Sequence, residues 1–236
     1  MNSHGHLVHR VLLAVDIQAY SRLNTREQLL AQRWLSAVLD TAAAHVGLDR
    51  TRWDKQVGGD GELDILPEGT DSAPVAGEFV IALAAALKAI NATGDDTAPP
   101  LRVRLALHHG TLTAGPFGPA GDAPIVVQRL LDAVPLRRLL AEDPSRDLAY
   151  VVSDTLFEDV VQTGFCGLPP ADFRSFKVTA KGVAFRGHLF TGSAPPEGRI
   201  SELPTRVQVS NATDQTPPVR PYGAEAGSSH DFGSTR

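Results

Sequence analysis

The chain has 236 residues, with 22 Lys and Arg against 27 Asp and Glu, a formal charge of −5, 42% apolar and 21% charged residues. These values suit one globular domain with a tail and argue against a nucleic-acid binder, which needs a concentrated basic face to displace counterions from phosphates. No apolar run of about eighteen residues occurs, and Met1–His9 lacks the regions of a signal peptide, which predicts a cytoplasmic protein without a membrane partner. The single cysteine, Cys166, rules out an internal disulfide and a thiolate metal cluster, and reads as buried filler.

In chain order, residues 1–9 are expected to be a flexible N-terminus, 10–191 one domain, and 192–236 a disordered tail. The tail is dominated by Pro, Gly, Ser and Thr and cannot bury enough apolar surface to offset its ordering entropy. The run Val11-Leu-Leu-Ala-Val-Asp16 is the pattern of a central strand covered on both faces, and it ends in a carboxylate. Asn24 and Glu27 are spaced like a capping box, and Leu30, Trp34, Val38 and Ala42 then recur every fourth residue, predicting a helix of about five turns. Short strands over 52–56 and 62–66 flank Val57-Gly-Gly-Asp-Gly61, which suits a tight hairpin with Asp60 at its tip.

Val75 to Ile90 is rich in alanine and leucine and predicts a second helix. Leu101, Val103, Leu105 and Leu107 alternate with Arg102, Arg104 and Ala106, a strand signal. The Gly- and Pro-rich stretch 110–124 reads as a loop, followed by helical pieces over 125–132 and 136–141 broken at Pro135. A short strand over 149–152, a helix capped by Ser153 or Asp154 and running to about Thr163, and a hairpin over 174–179 and 183–190 complete the pattern. The class is α+β, with a mostly antiparallel sheet flanked by helices.

Asp16 at a strand end and Asp60 at a hairpin tip, with the Ile17 carbonyl nearby, form an oxygen-ligand set suited to Mg²⁺ or Mn²⁺. Alternatively, Asp16 caps the following turn and Asp60 serves the hairpin alone. Glu62 and Asp64 alternate with Leu63 and Ile65 and read as a solvated strand face. His108 and His109 are adjacent on a strand, so they point to opposite faces and cannot chelate together. Neither a G-x-x-x-x-G-K-S/T nor a G-x-G-x-x-G motif is present, so any phosphate binding must use metals, Arg and Lys.

Val11-Leu-Leu-Ala-Val-Asp16-Ile17-Gln-Ala-Tyr20-Ser21 resembles the opening strand of class III nucleotidyl cyclases, in which an Asp-Ile pair is followed by an aromatic and a Ser or Thr. Val57-Gly-Gly-Asp60-Gly61 is similar to that family's Gly-Asp hairpin, and Val103-Arg-Leu-Ala-Leu-His-His-Gly110 to its strand ending in His-x-Gly. The resemblance covers about Arg10 to Phe190, and more closely still the chain resembles the bacterial pyrimidine cyclases of phage-defence systems, which make cyclic UMP or cyclic CMP. It implies a class III cyclase-like, ferredoxin-like domain and a metal site of Asp16, Asp60 and the Ile17 carbonyl. It also implies two Mg²⁺ or Mn²⁺ ions per site, which would activate the ribose 3′-hydroxyl and neutralise the triphosphate. Arg129, in Val126-Val-Gln-Arg-Leu-Leu131, matches the arginine that stabilises charge at the α-phosphate, and Lys181 matches a lysine that contacts the triphosphate. Tyr20 and Ser21 join Gln56 as substrate-binding candidates.

Two positions depart from the purine cyclases. Ile125 stands where they carry a ribose-orienting asparagine, and Gln56 stands at the position of their charged base selector. An amide donates and accepts at once, so Gln56 can bond the edge of uracil or cytosine. The resemblance therefore implies an enzyme acting on an NTP, UTP before CTP, as a homodimer whose product is read by a separate cyclic-nucleotide effector. The alternatives are a catalytically degenerate nucleotide-binding module and a purine (adenylate) cyclase. A diguanylate-type polymerase, suggested by Gly58-Gly-Asp-Gly-Glu62, fits the opening strand less well.

Overall fold

Residues 6–93, 99–180 and 182–192 are described by the computed structural model. The opening apolar run forms β1 (Val8–Ile17), in which Val11 to Ile17 are all buried. Successive side chains enter two different cores, so the run needs no polar face. Val11, Leu13, Val15 and Ile17 join one core, and Leu12 and Ala14 the other. The strand starts inside the stretch expected to be flexible, because Val8 and His9 pair with Leu112 and Thr111.

α1 (Thr25–His45) starts on the expected capping box. Asn24 accepts the amides of Arg26 and Glu27, and Glu27 accepts the Asn24 N–H. Trp34, Val38 and Ala42 lie on its buried face. β2 (Asp54–Val57) and β3 (Gly61–Ile65) pair as the expected hairpin. The alanine-rich stretch divides into α2 (Ser72–Ala76) and α3 (Glu78–Ala92) at Gly77, which leaves helical geometry where it packs on the Cys166 carbonyl. Residues Ser72–Ala92 are apolar enough in length and hydropathy to span a membrane, but Phe79, Leu83 and Leu87 are fully buried in the core shared with α1.

Stretch 110–124 is more regular than expected. β4 (Val103–Gly115) continues through it, β5 (Gly118–Ala120) folds back on β4, and α4 (Asp122–Leu131) begins at once. The glycines read as loop signals here serve the reversal, and Gly118 has φ +115°, which side chains rarely tolerate. Pro135 breaks nothing: it occupies the first turn of α5 (Val134–Glu142), where no N–H is needed.

β6 (Leu148–Ser153) runs parallel to β4. Ser153 caps a single α-turn that passes into a π-helical turn, Phe157–Val161, in place of the longer helix expected to Thr163. β7 (Phe173–Ala180) and β8 (Val183–Phe190) form the last hairpin. Lys181, at its turn, and residues 193–236 of the expected tail lie outside the described residues.

The sheet order is β2-β3-β1-β4-β6-β8-β7, with β5 on β4, and only the β4–β6 pairing is parallel among the described strands. α1 and α3 cover one face, and α4 and α5 cover the other. This is the expected α+β architecture.

Glu62 and Asp64 do not form a solvated face. They share the side of β3 that looks toward α1 and α3, and Asp64 is fully buried. Buried Arg50 replaces water there, pairing with Glu62 and, at 2.5 Å, with Asp40 of α1.

Candidate active site

Asp16 closes β1 opposite Gly61, and the Ile17 N–H donates to the Asp60 carbonyl at 2.8 Å. Strand and hairpin approach so closely that a Cβ on Gly61 would collide with the Val15 carbonyl. The backbone therefore brings Asp60 beside Asp16. Both line a cleft of about 380 Å³ together with Gln56, Leu63, Gln128 and Asp132.

Arg104 lies across from Asp16 on β4 and donates to both carboxylate oxygens, through Nε at 2.7 Å and Nη2 at 2.5 Å. This is the bidentate geometry in which a guanidinium fits a carboxylate best. Burial pushes the Asp16 carboxyl up to about 6; Arg104 pulls it down, and Asp60 and Asp132 push it further up. Four acidic residues, Asp16, Asp60, Glu62 and Asp132, thus line one cleft against the guanidinium of Arg104 on Asp16 and that of Arg50 on Glu62, a surplus of negative charge made of hard oxygen donors. That chemistry fits Mg²⁺ or Mn²⁺. Among the described residues no three His, Cys, Asp or Glu side chains converge as a metal-binding group. A cation held by Asp16 and Asp60 would complete its shell with water, backbone carbonyls or phosphate oxygens, as Mg²⁺ commonly does.

Gln56 is exposed on β2, and its amide lies against Gly118, where any Cβ would collide with Nε2. Tyr20 and Ser21 fall in the 3-10 turn Tyr20–Arg22 after β1 and do not line this cleft. The Tyr20 ring is partly buried against the α1/α3 core, and its hydroxyl accepts Gln32 Nε2 at 2.6 Å, while Ser21 is exposed. Arg129 is half-buried on α4 and outside the cleft that Asp16 lines in the same chain. The fold therefore gathers Asp16, Asp60 and Gln56, and leaves Tyr20, Ser21 and Arg129 apart. Arg104, Gln128 and Asp132 are neighbours that sequence reasoning missed. The signal for Arg104 was a charge set among the apolar residues Val103 to Leu107; Asp132 at the end of α4 left none.

Histidines gather elsewhere, around the segment after β6. His108 Nδ1 lies 2.8 Å from Ser153 Oγ, His109 Nε2 3.0 Å from Asp159 and His188 Nε2 2.7 Å from Asp154, with His188 stacked on Phe157 at 3.7 Å. Burial, then the nearby His109 and His9, pushes the His108 imidazole down to about 4. These contacts pin the π-helical turn to the sheet.

No protein-family model and no curated protein sequence matches the chain. Its fold is similar to solved nucleotidyl cyclase domains. A guanylyl cyclase crystal structure superposes with a TM-score of 0.56 at 16% identity, covering 82% of this chain and 97% of the other. A bacterial light-regulated adenylyl cyclase gives 0.50 at 17% identity, covering 79% of this chain and 53% of the other. The catalytic core of a rhodopsin-guanylyl cyclase with converted specificity, in complex with ATPalphaS, gives 0.50 at 16% identity over 78% and 97%. The chain therefore has the fold of class III nucleotidyl cyclase domains.

Proposed function

We propose that the chain is a metal-dependent nucleotidyl cyclase that converts a pyrimidine NTP, UTP before CTP, into its 3′,5′-cyclic monophosphate and pyrophosphate. The observation that carries the reading is the junction of β1 and the hairpin, where the Ile17 N–H meets the Asp60 carbonyl and sets two carboxylates in one cleft of a cyclase fold. Mg²⁺ or Mn²⁺, held by Asp16 and Asp60 with the Ile17 carbonyl as a further ligand, would supply charge neutralisation for the triphosphate. The ribose 3′-oxygen attacks the α-phosphorus in line and pyrophosphate leaves, so catalysis is mostly positioning and electrostatics. Arg129 and Lys181 are assigned to the phosphates. Because Arg129 lies outside the cleft of its own Asp16, the reading includes a homodimer in which each chain completes the other's site.

The base assignment rests on Gln56. Its amide occupies the space over Gly118, so no side chain can stand beside it at position 118, and Ile125 offers no polar group one turn before Arg129. A single amide can satisfy the O4 and N3 edge of uracil or the N4 and N3 edge of cytosine. The resemblance to pyrimidine cyclases extends the reading to a cytoplasmic second-messenger synthase in phage defence, with a separate effector for the product.

One observation favours a second reading. Both oxygens of Asp16 are engaged by Arg104, and an aspartate neutralised in this way is what a nucleotide-binding regulatory module without turnover would retain. Incubating the purified protein with each of the four NTPs and Mn²⁺, then identifying products by mass, separates the two. The enzyme gives cyclic UMP or cyclic CMP in excess. Preference for ATP or GTP overturns the base assignment, and nucleotide binding without a cyclic product supports the module.

A further inference from the structure

We propose that Gln32 is a positioning residue for the Asp16–Asp60 site, holding the hairpin tip so that Asp60 stays beside Asp16; this rests on the reading of those aspartates as metal ligands. Gln32 projects from α1 toward the tip. Its Nε2 donates to the Gly59 carbonyl at 2.7 Å and to the Tyr20 hydroxyl at 2.6 Å, which uses both N–H bonds of the amide.

Among the described residues, three hydrogen bonds hold the tip. The Gly58 N–H donates to the Gly61 carbonyl at 2.7 Å, the Ile17 N–H to the Asp60 carbonyl at 2.8 Å, and Gln32 to the Gly59 carbonyl. The first two join backbone to backbone and persist whatever the side chains are. Gln32 supplies the one that depends on a side chain. Little else restrains Gly59, since a Cβ built there would meet no atom within 4 Å, and residues 58 to 60 are all exposed. Two consecutive glycines make an ordered tip entropically expensive. An anchor one residue before Asp60 therefore bears directly on where that carboxylate sits, and a shared cation tolerates only about half an ångström of error in its ligands.

The anchor is itself supported. Tyr20 packs its ring against the α1/α3 core and receives the second N–H of Gln32, so restraint runs from core to Tyr20, Gln32, Gly59 and Asp60. Tyr20 thereby acts on the site as a brace from behind the hairpin.

The test titrates Mn²⁺ alone into the full chain, following free Mn²⁺ by electron paramagnetic resonance, for the unmodified protein and the Gln32→Met, Gln32→Leu and Tyr20→Phe variants. Thermal melts are recorded on each. Met keeps the length of glutamine without its N–H, so folding should survive. Both Gln32 variants should bind Mn²⁺ about three- to tenfold more weakly, the worth of one hydrogen bond, with little change in melting temperature. In turnover assays the KM for Mn²⁺ should rise by the same factor while kcat at saturating metal is kept. Tyr20→Phe retains the Gly59 bond and should weaken binding less than either. Unchanged Mn²⁺ affinity in both Gln32 variants, beside an unmodified protein that binds, overturns the positioning role and leaves the metal reading standing. Absence of Mn²⁺ binding by the unmodified protein overturns the metal reading and the role together.

Discussion

Burial pushes the Asp64 carboxyl up to about 8, the neighbouring Glu62 pushes the same way, and Arg50 opposes both. Neither Asp64 oxygen has a hydrogen-bond partner among the described residues. Because the folded pKa lies above the unfolded 3.8, the folded state binds the extra proton, and stability falls as pH rises through that interval. Asp64→Asn should therefore gain on the unmodified protein by an amount that grows between pH 6 and pH 8.5, on the order of 1 kcal/mol for each pH unit up to about 8. Calorimetric melts at the two pH values measure it, and an advantage that does not grow with pH contradicts the assignment. His108 has the opposite sign. Its folded pKa of about 4 lies below the ordinary imidazole value of 6.5, so its contribution is present above 6.5 and is lost as pH falls toward 4. Replacing it with Gln, which can keep a bond to Ser153, should flatten the acid limb of the stability profile measured by urea titration. An acid limb equally steep in both proteins would place the cause elsewhere.

At the scale of elements, the β2–β3 hairpin shows both what a sequence reveals and what it hides. Its existence and the place of Asp60 are legible, because the glycines of Val57-Gly-Gly-Asp-Gly61 announce the turn. Which face of β3 meets water is not legible. Period-two alternation says that Glu62 and Asp64 lie on one side, but a buried cation from the 3-10 turn Arg50–Arg52 before β2, Arg50, decides that this side is interior. Stretch 110–124 misleads for a related reason: its Gly and Pro residues serve a strand reversal, and only pairing with distant β1 reveals β4 as a long strand. The hairpin also carries a sharp prediction. Because a Cβ at position 61 would strike the Val15 carbonyl, Gly61→Ala must part β3 from the end of β1. It should cost about 1 to 3 kcal/mol in stability and at least tenfold in turnover. Urea unfolding with parallel product assays checks both, and normal turnover would show that the site does not depend on this close approach.

For the whole molecule, the separation of Arg129 from the cleft is the fact that the proposed reaction must accommodate. Val57 on β2, Phe117 at the β4–β5 turn and Ile125 on α4 stand at least half exposed, on or beside the elements that carry Gln56, Gly118 and Arg129. Apolar groups placed this way suit a surface that a second copy covers. Two-fold pairing would create two equivalent sites, each with aspartates from one chain and the arginine from the other. The most direct measurement mixes two inactive proteins, Asp16→Ala and Arg129→Ala, in equal amounts, lets their subunits exchange, and assays cyclic nucleotide formation by mass. Half of the dimers become mixed and each regains one intact site, so about a quarter of the unmodified activity should return. No recovery after exchange is confirmed by mass spectrometry of the intact dimers would contradict a site shared between chains, and full activity in either variant alone would contradict the assignment of its residue.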